Sequence, residues 1–329
     1  MVVGAGEADR FLPTVLKRLE PLVDLLVVWG CSPDKKTEQL LASSPFVEYH
    51  RDDSHPWAEY QPEIKFTLLT KYVFPHKPDW IVSIDADEVF DRRVTRDTLE
   101  EMAGRGELAY TFYCVQLYDR EDQMRVDGLW GGFRNVRFWK PLYDVPQTWL
   151  KSRLHCGLAP IYAYAYAADS EFAFKHYGYM RPEDREKKVA RYSEHDPKGM
   201  YMTSWYYKSI LDESPRLTPF NEQEFGATLR YQPKKPNEKK VVERYKNPMA
   251  DIVYFQNQHG NIISTSDRGV IEQYRKNKKL TEILNVPVAA AKPIEAPVVK
   301  SEEAALKCEI CGNPAKSLAG LKAHQRSHK

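Results

Sequence analysis

Residues Trp80–Asp91 read WIVSIDADEVFD, a short hydrophobic segment followed by three carboxylates within four positions. The segment WIVSI predicts a buried strand. Asp85 and Asp87, one residue apart where the strand ends, can both reach one hard divalent cation, and their oxygens suit magnesium or manganese. In the alternative interpretation they are solvated turn residues that cap a following helix. The stretch therefore predicts a strand that ends in an acidic cluster.

The residues before this cluster alternate between strand and helix patterns. The predicted strands are VVG, VDLLVVWG, FVEYH and DWIVSI, and the helical segments between them are ADRFLPTVLKRLEPL, KKTEQLLAS and QPEIKFTLLTKYVF. Strand–helix–strand units in succession predict a parallel, doubly wound α/β sheet with helices on both faces. Ligands of such sheets bind beyond the carboxyl ends of the strands, where the acidic cluster falls.

Composition excludes some classes of protein and sets the expected compartment. The chain has 329 residues, with 48 basic and 46 acidic side chains, so no global field attracts nucleic acid or an anionic membrane. No run reaches the ~18 apolar residues of a membrane span, and the start MVVGAGEADR lacks the features of a secretory signal. The five cysteines form no regular framework. We therefore expect a cytoplasmic protein with thiols and no membrane span.

Changes in pattern divide the chain into five parts. Short aromatic-rich strands follow the first ninety residues, and the charged helix PEDREKKVARY follows them. The polar YQPKKPNEKK indicates a connector, and VPVAAAKPIEAPVVKSEE has the composition of a flexible linker. The expected parts are a domain over 1–215, a basic connector over 216–249, a small strand–strand–helix (ββα) module over 250–285, a linker over 286–305 and a zinc finger over 306–329.

The last part, CEICGNPAKSLAGLKAHQRSH, has metal-ligand spacing. Two residues separate Cys308 from Cys311, twelve separate Cys311 from His324, and three separate His324 from His328. Two thiolates on a turn and two histidines one helical turn apart can bind one tetrahedral Zn²⁺, without which a unit of ~22 residues cannot fold. One finger covers only about 3 bp of DNA. Tethering to DNA or RNA, protein contact and a purely stabilising role all remain open.

Four segments, in order, resemble the family-2 type of nucleotide-sugar glycosyltransferases of the GT-A fold, over residues 1 to about 200. They are GEADRFLPTVLKRLEPLVDLLVV, KPDWIVSIDADEVF, RVDGLWGGFRNVRFWK and FKHYGYMRPEDREKKVARYSEHDP. The resemblance implies a Rossmann-like, mostly parallel sheet. It also implies a metal-dependent transfer of a sugar from a nucleotide-diphosphate donor, with Mn²⁺ or Mg²⁺ as cofactor.

The resemblance also implies roles for individual residues. Asp85 and Asp87 would meet the metal and the donor, Glu88 would orient the site, and His176 would complete the metal shell, although a buried structural histidine is the alternative. His155 is a weaker second histidine. Arg134 and Arg137 are candidates for bidentate diphosphate binding, or for surface ion pairs. An inverting enzyme needs a carboxylate base, for which Asp127 is the first candidate and Glu171 and Asp169 are rivals.

Two departures from the family's pattern leave a second hypothesis open. The first strand is shortened to VVG, and the Asp pair that many relatives carry after the second strand is WGCSPD here, with only Asp34 near the expected nucleotide. A catalytically inactive protein with a transferase fold, acting in nucleic-acid binding or as a scaffold, is therefore the alternative function. For an active transferase, the finger makes DNA with modified bases one possible acceptor.

Overall fold

The computed structural model describes residues 1–53, 61–143, 145, 147–149, 157–199 and 204–233, and three strands within 253–283. The strands are β1 Val2–Val3, β2 Leu26–Gly30, β3 Val47–Arg51, β4 Ile81–Val82, β5 Glu88–Phe90, β6 Ala109–Tyr118, β7 Arg120–Arg125, β8 Arg134–Trp139, β9 Ala167–His176, β10 Leu217–Pro219, β11 Val253–Asn257, β12 Ile262–Thr265 and β13 Leu280–Ile283. The α-helices are α1 Leu12–Leu19, α2 Lys35–Ala42, α3 Gln61–Thr67, α4 Arg96–Gly104, α5 Ile161–Ala165, α6 Pro182–His195, α7 Ser204–Ser209 and α8 Glu222–Thr228.

The first three strands form the parallel sheet that the sequence predicts. β2 lies in the middle and pairs in parallel with β1 and with β3. α1 buries Leu12, Val15, Leu16 and Leu19, which share one face because they recur at helical spacing. The mixed α/β class and the parallel arrangement of these strands are therefore confirmed.

The strand before the acidic cluster does not extend this parallel sheet. β4 pairs antiparallel with β8, with Ile81 opposite Trp139. Trp80 stacks on Phe138, with ring centroids 4.4 Å apart, and the indole Nε1 of Trp139 donates to Ser83 Oγ at 2.8 Å. The prediction of one mostly parallel, doubly wound sheet is therefore wrong at β4, because contacts with β8, a later segment of the chain, fix its partner.

The second sheet has seven strands. β6 lies at its centre, antiparallel to β7 and β8 and parallel to β9, while β5 pairs antiparallel with β9. The side chains of Tyr110, Phe112 and Phe174 within it are fully buried. The aromatic segments that the sequence assigns to strands are thus mainly antiparallel. The segment IYAYAYAA, residues 161–168, forms α5 and the start of β9.

The main domain extends past Pro215, where the sequence analysis placed its end. β10 pairs antiparallel with β7, and Arg93 donates to the carbonyl of Gly226 in α8 at 3.2 Å. The Tyr231 hydroxyl donates to Glu107 at 2.7 Å. The basic connector predicted from residue 216 therefore begins with a strand and a helix that pack on the second sheet, and the rest of it, 234–249, lies outside the described residues.

The strands near residue 260 form a separate antiparallel sheet. β11 pairs with β12, as the predicted hairpin requires, and also with β13. Leu280–Ile283 is a strand, so the helix predicted over 267–284 is wrong at its carboxyl end, where main-chain pairing with β11 replaces helical hydrogen bonds. The predicted linker and zinc finger, with Cys308, Cys311, His324 and His328, lie outside the described residues.

In the ranges of the chain that the structure describes, no helix is both long enough and apolar enough to cross a membrane.

Candidate functional site

Pairing of β5 with β9 brings together the acidic cluster and the predicted histidine. Glu88 lies directly opposite His176 in the antiparallel ladder. The N–H of Tyr177 donates to the carbonyl of Asp87 at 2.9 Å. Two segments separated by almost ninety residues are thereby held in a fixed register, and the side chains just before β5 face those at the end of β9.

The carboxylate of Asp87 is the centre of this arrangement. Its Oδ2 lies 3.4 Å from His176 Nε2 and 3.4 Å from Lys188 Nζ. Burial alone would raise the pKa of Asp87, but the charges of Lys188 and His176 outweigh it and hold that pKa well below its usual range. Asp87 is therefore an anion with a cation already beside it.

His176 is oriented by a second hydrogen bond. Its Nδ1 lies 2.6 Å from the side-chain oxygen of Gln116. An amide oxygen only accepts, so Nδ1 donates in this contact and Nε2 is the ring nitrogen that faces Asp87. A metal-binding histidine uses one ring nitrogen while the other donates to an oxygen of this kind, so the arrangement leaves Nε2 for a metal.

Gly178 lies against these groups, which leave no room for a side chain there. A Cβ atom at this position would overlap Asp87 Oδ2 and Lys188 Nζ and would lie 2.7 Å from His176 Nε2. We call Asp87, His176, Lys188 and the space above Gly178 the Asp87 site. A carboxylate oxygen and an imidazole nitrogen can share one Mn²⁺, with water and phosphate oxygens at the other positions, so Asp87 and His176 suit such an ion once the Lys188 ammonium moves away.

The third predicted metal ligand, Asp85, lines the same cavity. Its main-chain N–H donates to Glu88 Oε2 at 3.2 Å, which ties the loop to the start of β5. The described ranges contain no group of three or more His, Cys, Asp or Glu side chains that could hold a metal ion. Asp87 and His176 are the predicted ligands that lie against each other, and a role of Asp85 stays a prediction.

Glu88 and Arg137, on the wall of the same cavity, form a buried ion pair in which each charge already has a partner. The Nε and Nη2 atoms of Arg137 lie 2.8 and 2.5 Å from the two carboxylate oxygens of Glu88. The guanidinium also lies over the ring of Phe174 at 4.4 Å. Burial raises the pKa of Glu88, and Arg137 opposes that rise. The predicted diphosphate role of Arg137 is therefore corrected, and both residues instead support the loop that carries Asp85 and Asp87.

Arg134 and the two rival carboxylates lie away from the cavity. Arg134 is paired with Asp169 at 3.3 Å and donates to the carbonyl of Ser170. Glu171 is held by both terminal nitrogens of Arg105, at 2.7 and 3.1 Å. None of these three side chains lines the cavity that holds Asp87 and His176. They are neither diphosphate ligands nor bases at the Asp87 site.

Asp127 and Asp34 also have structural partners. Both carboxylate oxygens of Asp127 accept from Arg125 at 2.8 Å, and this pairing lowers the pKa of Asp127, which makes it a poor general base. Asp34 caps α2 by accepting from the N–H of Thr37 at 3.0 Å and also accepts from the N–H of Gly6. These N–H donors, Gly6 first, lower its pKa to about 2. His155 lies outside the described residues.

The Asp87 site opens into a cavity of about 930 Å³ with charged and aromatic walls. Arg10, also on the wall, bridges Glu7 and Asp184 at 3.2 and 3.1 Å. Among the described residues, Glu7 Oε2 and Asp184 Oδ2 are buried atoms without a hydrogen-bond partner. Burial raises the pKa of Glu7.

Sequence reasoning missed Glu7, Arg10, Asp184 and Lys188. Asp184 and Lys188 are four residues apart in the charged segment PEDREKK, a spacing that puts both on one helix face, but nothing in the sequence shows that this face meets the cavity. Aromatic side chains, Trp130, Phe133, Tyr164, Tyr179 and Tyr206, line another part of the wall.

Comparison with protein-family models finds none that matches this chain, and comparison with curated proteins finds no match either. Any assignment of function therefore depends on the geometry of the site.

The buried Glu88–Arg137 pair predicts a large loss of stability in Glu88→Ala. The substitution leaves a guanidinium with an exposed side-chain fraction of 3% without its counter-ion, which costs about 3–5 kcal/mol. Urea denaturation measures the free energy of unfolding. Glu171→Ala breaks an Arg–Glu pair whose side chains are 20% and 26% exposed, so this control should cost about 1 kcal/mol or less. Equal losses in the two variants would contradict the structural role of Glu88.

Proposed function

We propose that this protein is a metal-dependent glycosyltransferase of the GT-A type, which moves a sugar from a nucleotide-diphosphate donor to an acceptor. The observation that carries the proposal is the position of Asp87 Oδ2 and His176 Nε2, 3.4 Å apart, on the wall of a large cavity. A segment rich in carboxylates, facing a histidine whose Nε2 is directed at them, is suited to a cation that carries a diphosphate.

The chain's own residues prepare this site for an anionic donor. Asp87 and His176 would hold Mn²⁺ or Mg²⁺, and Gln116 keeps the Nδ1 proton in place so that Nε2 faces the cavity. The bound ion would neutralise the diphosphate as the bond to the sugar breaks. Lys188 and Arg191 line the same cavity and supply positive charge from α6. The aromatic wall offers flat surfaces for a sugar or a base.

A base for an inverting transfer has to be sought on the cavity wall. Asp127 is held by Arg125, and its pKa is lowered. Glu7 and Asp184 line the cavity, and each has one carboxylate oxygen without a hydrogen-bond partner in the described part of the chain. They replace Asp127 as the candidates for the group that deprotonates the acceptor hydroxyl.

Replacement of Asp87 tests the proposed activity. We expect the protein to hydrolyse a sugar nucleotide slowly in the presence of manganese. In Asp87→Ala the rate should fall by a factor of about 100 or more, because the leaving diphosphate loses its charge stabilisation. Release of nucleoside diphosphate measures the rate. The control is Asp97→Ala, which removes an exposed carboxylate in the first turn of α4. No hydrolysis of any common donor by the wild type would contradict the proposal.

One observation favours the alternative, an inactive transferase fold that binds nucleic acid or serves as a scaffold. Asp34, the one carboxylate of the segment WGCSPD, where many relatives carry an Asp pair, is engaged as the cap of α2. Recognition of a nucleotide would therefore need other groups. The hydrolysis assay separates the two functions, since a scaffold would show no manganese-dependent release.

The C-terminal segment suggests how an acceptor is brought to the site. We propose that Cys308, Cys311, His324 and His328 bind Zn²⁺ and that the finger contacts a nucleic acid, with DNA that carries modified bases as the acceptor. Protein contact by the finger remains the rival, because a single finger is a weak sequence-specific binder.

Removal of residues 286–329 tests this tethering. We expect the shortened protein to keep manganese-dependent donor hydrolysis while its transfer to modified DNA falls about tenfold or more at low DNA concentration, since the tether raises the local concentration of acceptor. Transfer of labelled sugar to DNA, with hydrolysis measured in parallel, gives both values. Unchanged DNA binding and unchanged transfer would contradict a nucleic-acid role of the finger.

A further inference from the structure

Lys188 lies where a divalent cation would approach Asp87. It lies in α6, one helical turn after Asp184, and its Nζ is 3.4 Å from Asp87 Oδ2. The ammonium also lies 4.4 Å from the centroid of the Tyr179 ring, and 14% of its side chain is exposed. Asp87 and the face of an aromatic ring thus hold a largely buried cation beside the proposed metal ligands.

Asp87, His176 and Lys188 all border the space above Gly178. A Cβ at Gly178 would overlap Lys188 Nζ as well as Asp87 Oδ2. A divalent ion in that space would therefore lie within a few ångström of a positive charge in a site with little water to screen it, and the two would repel each other strongly. Asp87 contributes one negative charge, which the ammonium already balances.

A diphosphate changes this balance. The negative charges of the donor can engage the Lys188 ammonium, which is a point charge on a flexible stem and can follow a phosphate. Once the ammonium is drawn toward the phosphates, Asp87 has no counter-ion and its carboxylate becomes available. The site then accepts a divalent ion together with a diphosphate without an excess of positive charge.

From these contacts we infer that Lys188 excludes a divalent cation from Asp87 and His176 until a diphosphate engages its ammonium, so that donor and metal bind together and the metal does not bind first. The inference rests on the proposed function, because it takes the Asp87 site to be the donor site. It adds a binding order and assigns the residue that enforces it.

Manganese binding without a nucleotide tests the inference on the full chain with Zn²⁺ supplied in stoichiometric amount. Free Mn²⁺ is followed by its electron paramagnetic resonance signal. We expect weak binding by the wild type and binding at least about tenfold tighter in Lys188→Met and Lys188→Gln, because the repelling charge is gone. The tighter binding should disappear when Asp87→Ala is added. Lys17→Met, which removes an exposed lysine in the last turn of α1 that does not line the cavity, should behave as the wild type.

A second measurement uses inorganic pyrophosphate in metal-free buffer. It should raise the melting temperature of the wild type and of Lys17→Met, and should raise that of Lys188→Met much less, since a ligand of the folded state stabilises it. Three results would overturn the inference. The first is tight manganese binding by the wild type without a nucleotide, and the second is manganese binding by Lys188→Met and Lys188→Gln that is no tighter than that of the wild type. The third is equal stabilisation by pyrophosphate with and without Lys188.

The two proposals fail in different ways. If the Lys188 variants bind manganese more tightly than the wild type but no sugar nucleotide is hydrolysed, the proposed transferase function is wrong, while Lys188 remains the residue that excludes the metal. If hydrolysis depends on manganese and Asp87 but Lys188→Met binds manganese no better than the wild type, the binding order alone is wrong.

Discussion

The pairing of the three-residue strand β5 with the end of β9 is the constraint on which the candidate site depends. It sets Glu88 opposite His176 and thereby places Asp87 beside the imidazole. The backbone hydrogen bonds of so short a strand are few, and the buried pair of Glu88 with Arg137 on β8 adds a side-chain connection across the same sheet. The acidic cluster at the end of a strand thus has two roles, with Glu88 supporting the loop and Asp87 facing the cavity.

The charges around Glu88 and Asp87 differ in the same way as their structural roles. The Glu88 carboxylate is balanced by a guanidinium that is buried with it, and this pair has no position open to a ligand. The Asp87 carboxylate is balanced by Lys188, a flexible cation at the edge of a cavity. An anionic ligand can compete for a lysine in such a position, but not for the buried Arg137. The chemistry that a diphosphate requires is therefore concentrated at Asp87, His176 and α6.

Local patterns in the sequence predict what depends on local physics. Spacing of Leu12, Val15, Leu16 and Leu19 predicts α1, because one face of the helix is buried, and apolar runs predict β2 and β6, because these strands are largely buried. The direction of β4 is not in its own residues, since β8 supplies its partner. A residue type also does not reveal whether another side chain already engages it. The sequence therefore predicts diphosphate binding for Arg137 and Arg134 and a catalytic base in Asp127, although each is paired with another side chain of the protein. The sequence likewise does not show that Lys188 lies beside Asp87.

The central claim is that the Asp87 site binds a nucleoside diphosphate, and a thermal-shift screen tests it most directly. Each common nucleoside diphosphate is added to the wild type and to Asp87→Ala, with and without manganese. A ligand of the folded state at about 100 times its Kd adds about 2.7 kcal/mol of stability. We predict that at least one nucleoside diphosphate with manganese raises the melting temperature of the wild type and not that of Asp87→Ala. No shift with any nucleotide, or an equal shift in the variant, would contradict the claim.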